Sequence, residues 1–148
     1  MFLPKNHVRL TRLELFMGIA DLIAQRGTCL RASVGCVIVQ DNRIISTGYV
    51  GSPSGRPHCF DVGCEMGPNS GCIRTVHAEA NAIAFAAKTG ISVNGGSMYC
   101  THSPCLECSR LIVNAGIYSL TYRSLYRDEA GLKLLDQCGV STTYIGRE

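Results

Sequence analysis

Two short segments, His77-Ala78-Glu79 and Pro104-Cys105-Leu106-Glu107-Cys108, constrain the fold most, because their side chains form one set of metal ligands. One imidazole and two thiolates suit Zn²⁺, with a fourth coordination position open to water. If Pro104 opens a helix, Cys105 and Cys108 lie on the same face of its first turn. The fold must then bring two helix N-termini to one ion, where their dipoles favour thiolate.

Glu79 carries the chemistry in this interpretation. It lies two positions after His77 at the start of a helix, so the two side chains point in different directions and the carboxylate need not bind the metal. A carboxylate beside a metal-activated water can take a proton and later deliver it to a leaving group. We therefore assign Glu79 as the catalytic residue and His77, Cys105 and Cys108 as the ligands of a catalytic zinc. The alternative is a nonenzymatic zinc module, which has no use for a positioned carboxylate.

Composition narrows the class of protein. The 148 residues fit a single domain, residues 1–148, with a Cys-rich loop at about 51–75. The net charge is only +3 and the basic residues are scattered, which argues against a polynucleotide partner. No apolar run is long enough to span a membrane, and the first residues lack the apolar core of a signal peptide. We expect no membrane partner and a cytoplasmic location, the host cytoplasm if the chain is viral.

The nine cysteines are better explained by metal binding and reduced thiols than by disulfides, because their number is odd and no export signal accompanies them.

Hydrophobic periodicity predicts an alternation of helices and strands. Apolar residues at spacings of three and four predict a first helix capped by Thr11, and a β-branched run followed by Asp41-Asn42 predicts a hairpin. Predicted helices cover about 10–25, 78–88, 104–115 and 128–137, and predicted strands cover 34–39, 43–47, 97–101, 117–122 and 140–144. The segment from Gly48 to about Thr75 is predicted to be irregular. This order predicts an α/β fold, a three-layer α/β/α sandwich on a five-stranded mixed sheet.

The pattern H-x-E followed by P-C-x-x-C is the signature of zinc-dependent nucleobase deaminases. From about Leu13 to Tyr144 the chain resembles the deoxycytidylate deaminase family, whose fold is cytidine deaminase-like. The resemblance rests on Cys36-Val37-Ile38-Val39, Ile44-Ile45-Ser46-Thr47-Gly48-Tyr49, Gly51-Ser52-Pro53, Arg74-Thr75-Val76-His77-Ala78-Glu79 and Ser103-Pro104-Cys105 with Cys108. The Gly-Tyr-x-Gly-Ser-Pro stretch and the cysteine-containing insert before His77 favour the nucleotide deaminases within the larger superfamily.

The resemblance implies hydrolysis of dCMP to dUMP and ammonia, a step in pyrimidine deoxynucleotide supply for dTMP synthesis. It implies that Glu79 protonates N3 of cytosine, that the Ala78 backbone N–H holds O2, and that the backbone near Ser103 meets the amino group. From residue type alone, the cluster Tyr122, Arg123, Tyr126 and Arg127 suits stacking on a base and pairing with phosphate. A solvated connection between strand and helix would use the same residue types.

Regulation is also implied by the resemblance. Members of the family are often hexamers that dCTP activates and dTTP inhibits, with Mg²⁺ accompanying the triphosphate, and a Gly-Tyr-Asn-Gly motif is associated with the effector site. Here Gly48-Tyr49-Val50-Gly51 occupies that motif, and Val50 lacks the donor and acceptor of an Asn amide. We expect a homo-oligomer with altered effector preference. The alternative is a tight loop that only needs two glycines.

A second, structural zinc would order the irregular insert. Our preferred ligands are Cys29, Cys59, Cys64 and Cys72, with His58 as a substitute. The resemblance supports this site, because related phage and bacterial enzymes carry a second zinc in this insert. The alternative is that Cys29 is a small buried residue and the loop cysteines are free thiols.

Three further functions share the deaminase fold or chemistry. A nucleoside cytidine deaminase would need no phosphate-binding group, and a tRNA adenosine deaminase would need a basic RNA surface. A binding protein that has lost activity would not need His77, Glu79, Cys105 and Cys108 to be intact.

Overall fold

A computed structural model describes residues 7–146, so the predictions made for the first six residues lie outside it. The helices are α1 Arg12–Ala24, α2 Cys59–Val62, α3 Ala78–Thr89, α4 Leu106–Asn114 and α5 Ala130–Gln137, and the strands are β1 Gly35–Gln40, β2 Arg43–Tyr49, β3 Ser97–His102, β4 Ser119–Ser124 and β5 Ser141–Tyr144. The five strands form one sheet in the order β2-β1-β3-β4-β5. Strand β1 is antiparallel to β2 and β3, whereas β3, β4 and β5 are mutually parallel, so the predicted mixed sheet is confirmed.

Helices cover both faces of the sheet. On one face α1 packs Phe16 and Ala20 against Val37 and Val39 of β1. On the other face α3, α4 and α5 pack against the sheet, and the buried side chains there include small alanines from α3 and larger aliphatic residues from α4, α5 and the strands. This confirms the three-layer α/β/α sandwich. None of the helices in residues 7–146 is long and apolar enough to cross a membrane.

The predicted hairpin forms with Asp41 and Asn42 in its turn, both at positive φ of 51° and 60°. A two-residue hairpin turn that matches the right-handed twist of the flanking strands requires positive φ at both turn residues. The predicted end of the second strand was wrong, because β2 continues through Gly48 to Tyr49. A Cβ at Gly48 would lie 2.1 Å from the Ala78 carbonyl oxygen, so the glycine lets β2 pack closely against α3 rather than breaking the strand.

Helices α3 and α4 both begin at the edge of the sheet where the parallel strands β3 and β4 end. His77 is the N-cap of α3, and Cys105, not Pro104, begins α4 as its N-cap. Pro104 therefore precedes the helix instead of occupying its first turn. The two motifs nevertheless sit at facing helix N-termini, as their spacing predicted.

The insert between β2 and α3 is mostly irregular, as expected. Its regular structure among the described residues is the single turn of α2 and two isolated antiparallel bridges, one between Gly51 and Val76 and one between Met66 and Cys72.

Candidate active site

The structure brings His77, Cys105 and Cys108 together. The His77 Nδ1 atom lies 3.4 Å from the Cys105 Sγ and 3.6 Å from the Cys108 Sγ. All three ligand atoms lie within 4.8 Å of one another. Zn–N and Zn–S bonds of ordinary length in a tetrahedron place such ligand atoms about 3.5–3.8 Å apart. The three side chains therefore fit one Zn²⁺ ion and leave a fourth position for a small molecule.

The electrostatics of these ligands also suit a cation. Hydrogen bonding from Cys108 and from His77 lowers the pKa of the Cys105 thiol to about 4, and the backbone N–H of Cys108 donates to the same sulfur at 3.4 Å. The hydrogen bond to Cys105 in turn raises the pKa of His77. The pKa of Cys108 is raised by its hydrogen bond to Cys105 and by burial, so one thiolate forms first. A metal ion would take the place of these shared protons.

Glu79 lies in the first turn of α3, directly beside this ligand set. Its side chain is buried, with 4% of the residue exposed, and it lines the same cavity as His77 and Cys105. Burial raises the pKa of the Glu79 carboxyl to about 7. A carboxyl group that titrates near neutrality can both accept and donate a proton.

The cavity around Glu79 has a volume of about 290 Å³. Besides the motif residues, it is lined by the segment between α1 and β1, the end of β2, the Cys-rich insert and the connection between β4 and α5. The lining residues are Cys29, Arg31, Ala32, Val34, Val50, Gly71, Cys72, Thr75, His77, Ala78, Glu79, His102, Ser103, Cys105, Leu125, Tyr126 and Arg127.

Two predicted substrate contacts lie in this cavity. Ala78 is the first residue of α3, where a backbone N–H has no partner within the helix. Ser103 follows β3, and its Oγ accepts a hydrogen bond from the Tyr126 backbone N–H at 2.7 Å. The Ser103 N–H donates to the Ser124 carbonyl at 2.8 Å. Ser103 therefore fixes the connection from β4 to α5 against the active site.

The other two predicted substrate contacts, Tyr122 and Arg123, do not line the cavity. The Tyr122 ring is buried in the core, 5.4 Å from the ring of Tyr144. Arg123 points to the opposite face of the sheet, where its Nη1 donates to both carboxylate oxygens of Asp21 at 2.6 and 2.7 Å. Successive residues of a strand face opposite sides, and neither side of β4 opens into the cavity here.

Arg127, which the sequence also singled out, does line the cavity, together with Arg31, which sequence reasoning missed. Arg31 lies in a loop that carries no sequence motif. It can be recognised as a cavity residue only from the structure, in which this loop lies at the end of the sheet that holds the active site.

The predicted effector segment joins several parts of the site. Val50 is buried and lines the cavity. The Thr28 N–H donates to the Val50 carbonyl at 3.0 Å, and the Val50 N–H donates to the Val34 carbonyl at 3.2 Å. Gly51 exchanges two backbone hydrogen bonds with Val76, at 2.8 and 3.2 Å. These contacts hold the 28–34 loop and the residue before His77 in place.

Gly48 and Tyr49 complete that segment and bind it to α3. The Asn81 side chain donates to the Tyr49 carbonyl at 2.8 Å, and Gly48 provides the close approach described above.

Cys59, Cys64 and Cys72 form a second cluster of possible metal ligands, with all three sulfurs within 4.8 Å of one another. The Cys59 and Cys72 sulfurs are 3.8 Å apart. Although burial acts to raise the pKa of Cys72, hydrogen bonds to nearby backbone groups lower it to about 7. Thiolate character of this kind favours metal binding.

Cys29, the fourth expected ligand, does not join this cluster. Its sulfur accepts a hydrogen bond from the Arg31 N–H at 3.3 Å, and it lines the catalytic cavity instead. His58, the expected substitute, is hydrogen-bonded through Nδ1 to the Thr28 hydroxyl at 2.9 Å. The structure thus brings together three of the four predicted cysteines.

Comparison with known proteins agrees with this site. The family model of the cytidine and deoxycytidylate deaminase zinc-binding region matches residues 10–124. The chain belongs to this family. It is 41% identical over 138 residues to ComE operon protein 2 of Bacillus subtilis, covering 93% of this chain and 72% of that protein.

Other family members carry an enzyme name. The deoxycytidylate deaminase of Saccharomyces cerevisiae is 40% identical over 133 residues, which is 85% of this chain but only 42% of the yeast protein. The dCMP deaminase of cyanophage S-TIM5, solved in complex with dCMP and dUMP, has a TM-score of 0.83 and 36% identity, and the alignment covers 94% of this chain and 100% of the phage chain.

Proposed function

We propose that this family member is a deoxycytidylate deaminase that hydrolyses dCMP to dUMP and ammonia in pyrimidine deoxynucleotide supply, with residues 1–148 forming one deaminase domain. The observation that carries the proposal is the buried carboxyl of Glu79 beside the His77, Cys105 and Cys108 ligand set in one cavity. The cyanophage enzyme, aligned along its whole length, was solved with dCMP and dUMP, the substrate and product proposed here.

The residues divide the reaction between them. His77, Cys105 and Cys108 would hold Zn²⁺, which supplies an activated water and a Lewis acid. Glu79 accepts one proton from the attacking water and passes it to N3 of the cytosine ring. It then takes the second proton, from the C4 hydroxyl of the tetrahedral adduct, and delivers it to the amino group, so that ammonia leaves as the C4–N bond breaks and the C4 carbonyl forms. The Ala78 N–H holds the pyrimidine O2, and the backbone at Ser103 meets the amino group. In the metal-free protein burial raises the pKa of Glu79 to about 7, and a carboxyl group in such an environment can serve as base and then as acid.

The test is ammonia release from purified protein offered dCMP, dCTP, deoxycytidine and CMP in parallel, with Glu79→Gln as the catalytic control. We expect preference for dCMP, and a loss of about 10²–10⁴-fold in kcat for the Gln variant with its zinc retained, since general acid–base catalysis contributes about that much. If the protein instead prefers dCTP, deoxycytidine or CMP, the assignment of dCMP as its substrate is wrong. Substantial activity in the zinc-loaded Gln variant would remove Glu79 from the mechanism.

We also propose that Cys59, Cys64 and Cys72 hold a second, structural Zn²⁺. The clustering of their sulfurs supports this, and the insert has little other regular structure to order it. With Cys29 outside the cluster, the fourth ligand is left to a neighbouring group or to water.

We also propose that dCTP and dTTP, each with Mg²⁺, regulate the enzyme by binding at the segment Gly48 to Gly51. The resemblance further supports a cytoplasmic homo-oligomer, with six subunits as in many members of the family. The support is that Val50 lines the catalytic cavity, so a ligand that shifts this segment would change the substrate site directly. Titrating each triphosphate with Mg²⁺ into the dCMP reaction tests it, and flat rates would contradict it.

A further inference from the structure

Asn81 links three segments of the chain at the start of helix α3. Its side-chain Nδ2 donates to the Tyr49 carbonyl at the end of β2, at 2.8 Å, and to the Val76 carbonyl at 3.4 Å. Its backbone N–H donates to the His77 carbonyl at 2.9 Å. An Asn amide carries two hydrogens, so this half-buried side chain can form both of its bonds at once. Asn81 therefore binds the residue before His77 to the end of the neighbouring strand.

The N-terminus of α3 needs such a partner, because its N-cap side chain does not cap the helix. A helix N-terminus is usually fixed by an N-cap side chain that accepts a hydrogen bond from the first turn. His77 accepts no such bond, and its imidazole is turned towards the Cys105 and Cys108 sulfurs instead. At α4, by contrast, the Cys105 sulfur accepts from the Cys108 N–H. The direction in which the chain enters α3 must therefore be set by other residues.

Two side-chain hydrogen bonds join β2 and α3, and they act on different parts of the helix. The Ser46 hydroxyl donates to the Ala82 carbonyl at 2.6 Å and so holds the body of the helix on the strand. Asn81 reaches the residue before the helix, where the Val76 carbonyl also accepts from the Gly51 N–H at 3.2 Å. A carbonyl oxygen can accept two such bonds. Of these two side chains, Asn81 is the one that acts on the segment leading into the catalytic motif.

We propose that Asn81 is a positioning residue of the reaction centre. By holding the Val76 carbonyl against the end of β2, its side chain sets the direction of the His77 imidazole and of the Ala78 N–H. This rests on the proposed function, in which His77 binds zinc and the Ala78 N–H holds the substrate. Asn81 does not line the cavity, so it acts without touching the substrate. Groups that orient metal ligands from outside the coordination sphere raise the affinity for the metal.

The test measures zinc affinity, by competition with a chelator, in Asn81→Asp and in the matched control Ser46→Ala. Each variant loses a side-chain hydrogen bond between β2 and α3, and an ionised Asp has the shape of Asn without its donors. All proteins carry Cys64→Ser, so that the three-cysteine cluster does not contribute to the zinc bound. We expect Asn81→Asp to lower the zinc affinity by about 10- to 100-fold, the range for groups that orient metal ligands. Ser46→Ala should lower the melting temperature but keep the parent affinity for zinc.

Two further variants at Asn81 complete the test. Asn81→Ala removes the same donors but is a better helix former, so it gives the same comparison if the Asp variant does not fold. Asn81→Gln keeps the amide on a longer side chain and should recover part of the zinc affinity. Unchanged zinc affinity in Asn81→Ala, or equal losses of affinity in the Asn81 and Ser46 variants, would overturn the inference.

Zinc binding also separates this inference from the proposed function, because the comparison of affinities does not depend on turnover. If the wild-type protein binds zinc but does not deaminate dCMP, the proposed function fails, and the positioning role of Asn81 is still decided by the affinities. If the protein binds no zinc at the His77, Cys105 and Cys108 site, both are overturned.

Discussion

Glu79 is a residue whose burial costs the fold stability and whose carboxyl group the proposed reaction requires. Burial raises its pKa from 4.5 to about 7, so in the folded, metal-free protein the ionised carboxylate is disfavoured relative to the unfolded chain. The cost is absent below pH 4.5, grows as pH rises and is complete above about pH 7. A shift of this size corresponds to at most about 3 kcal/mol.

We therefore expect metal-free Glu79→Gln to be more stable than metal-free wild type at pH 8, by up to about 3 kcal/mol, because Gln has no charge to bury. The advantage should shrink towards zero at pH 4.5. Urea unfolding in the presence of a chelator at both pH values checks this. An advantage of the same size at both would mean that ionisation is not its cause.

Gly48 is a second residue whose identity matters, because the absence of a side chain there lets β2 pack closely against α3. An added Cβ would lie 2.1 Å from the Ala78 carbonyl oxygen and 2.6 Å from the Ala82 nitrogen, so Gly48→Ala must push β2 and α3 apart. We expect a loss of about 2 kcal/mol or more in the free energy of unfolding, together with reduced turnover, because α3 begins at the catalytic motif.

Gly18→Ala is the matched control for Gly48→Ala, since nothing lies within 4 Å of its added Cβ in the middle of α1. It should stabilise the protein by up to about 1 kcal/mol. Chemical denaturation of both variants checks the pair, and equal effects would show that glycine flexibility, rather than the approach of β2 to α3, matters at Gly48.

At the level of helices and strands, the sequence predicted most of what the structure contains, because those signals are local. Thr11 forms the expected cap with Glu14, and Gly90 ends α3 in the left-handed conformation. The errors came from residues whose role is set by a neighbour in space. The second strand was predicted to stop before Gly48, because a glycine is locally a strand breaker. Helix α3, which requires a glycine at this position, lies much later in the chain and could not be recognised from the local sequence.

The connection from β4 to α5 is an element whose position rests on one buried hydroxyl. Removing it by Ser103→Ala leaves the Tyr126 N–H without its partner and frees the loop that carries Arg127. We expect a loss of about 1–3 kcal/mol in stability and a higher KM for dCMP. Ser46→Ala is the control, because Ser46 is also buried and its hydroxyl donates to the Ala82 carbonyl at 2.6 Å, away from the loop. Equal KM changes in both variants would contradict the positioning role of Ser103.

In the molecule as a whole, the active site is where distant segments meet, and this limited the sequence analysis. The clustering of His77, Cys105 and Cys108 could be predicted because their residue types and spacing are typical of a zinc site. The choice among arginines could not, since Arg123 and Arg127 are equivalent by type and differ only in which side of the sheet they reach. Arg31 and the position of Cys29 depend on a loop whose path is fixed by hydrogen bonds to Val50, and no local pattern encodes those contacts.

The Cys-rich insert connects the proposed second metal to the catalytic cavity, because Cys72 belongs to the three-cysteine cluster and also lines that cavity. We expect metal analysis to find two zinc ions per chain in the wild-type protein and one in Cys64→Ser, which removes a ligand that does not itself line the cavity. The loss should loosen the part of the insert where Gly71 and Cys72 line the cavity, and should therefore raise KM for dCMP. Cys138→Ser, at an exposed cysteine outside both clusters, should keep both zinc ions and wild-type kinetics. If the wild-type protein contains a single zinc ion, the second site does not exist. If Cys64→Ser contains one zinc ion but has an unchanged KM for dCMP, the insert plays no part in substrate recognition.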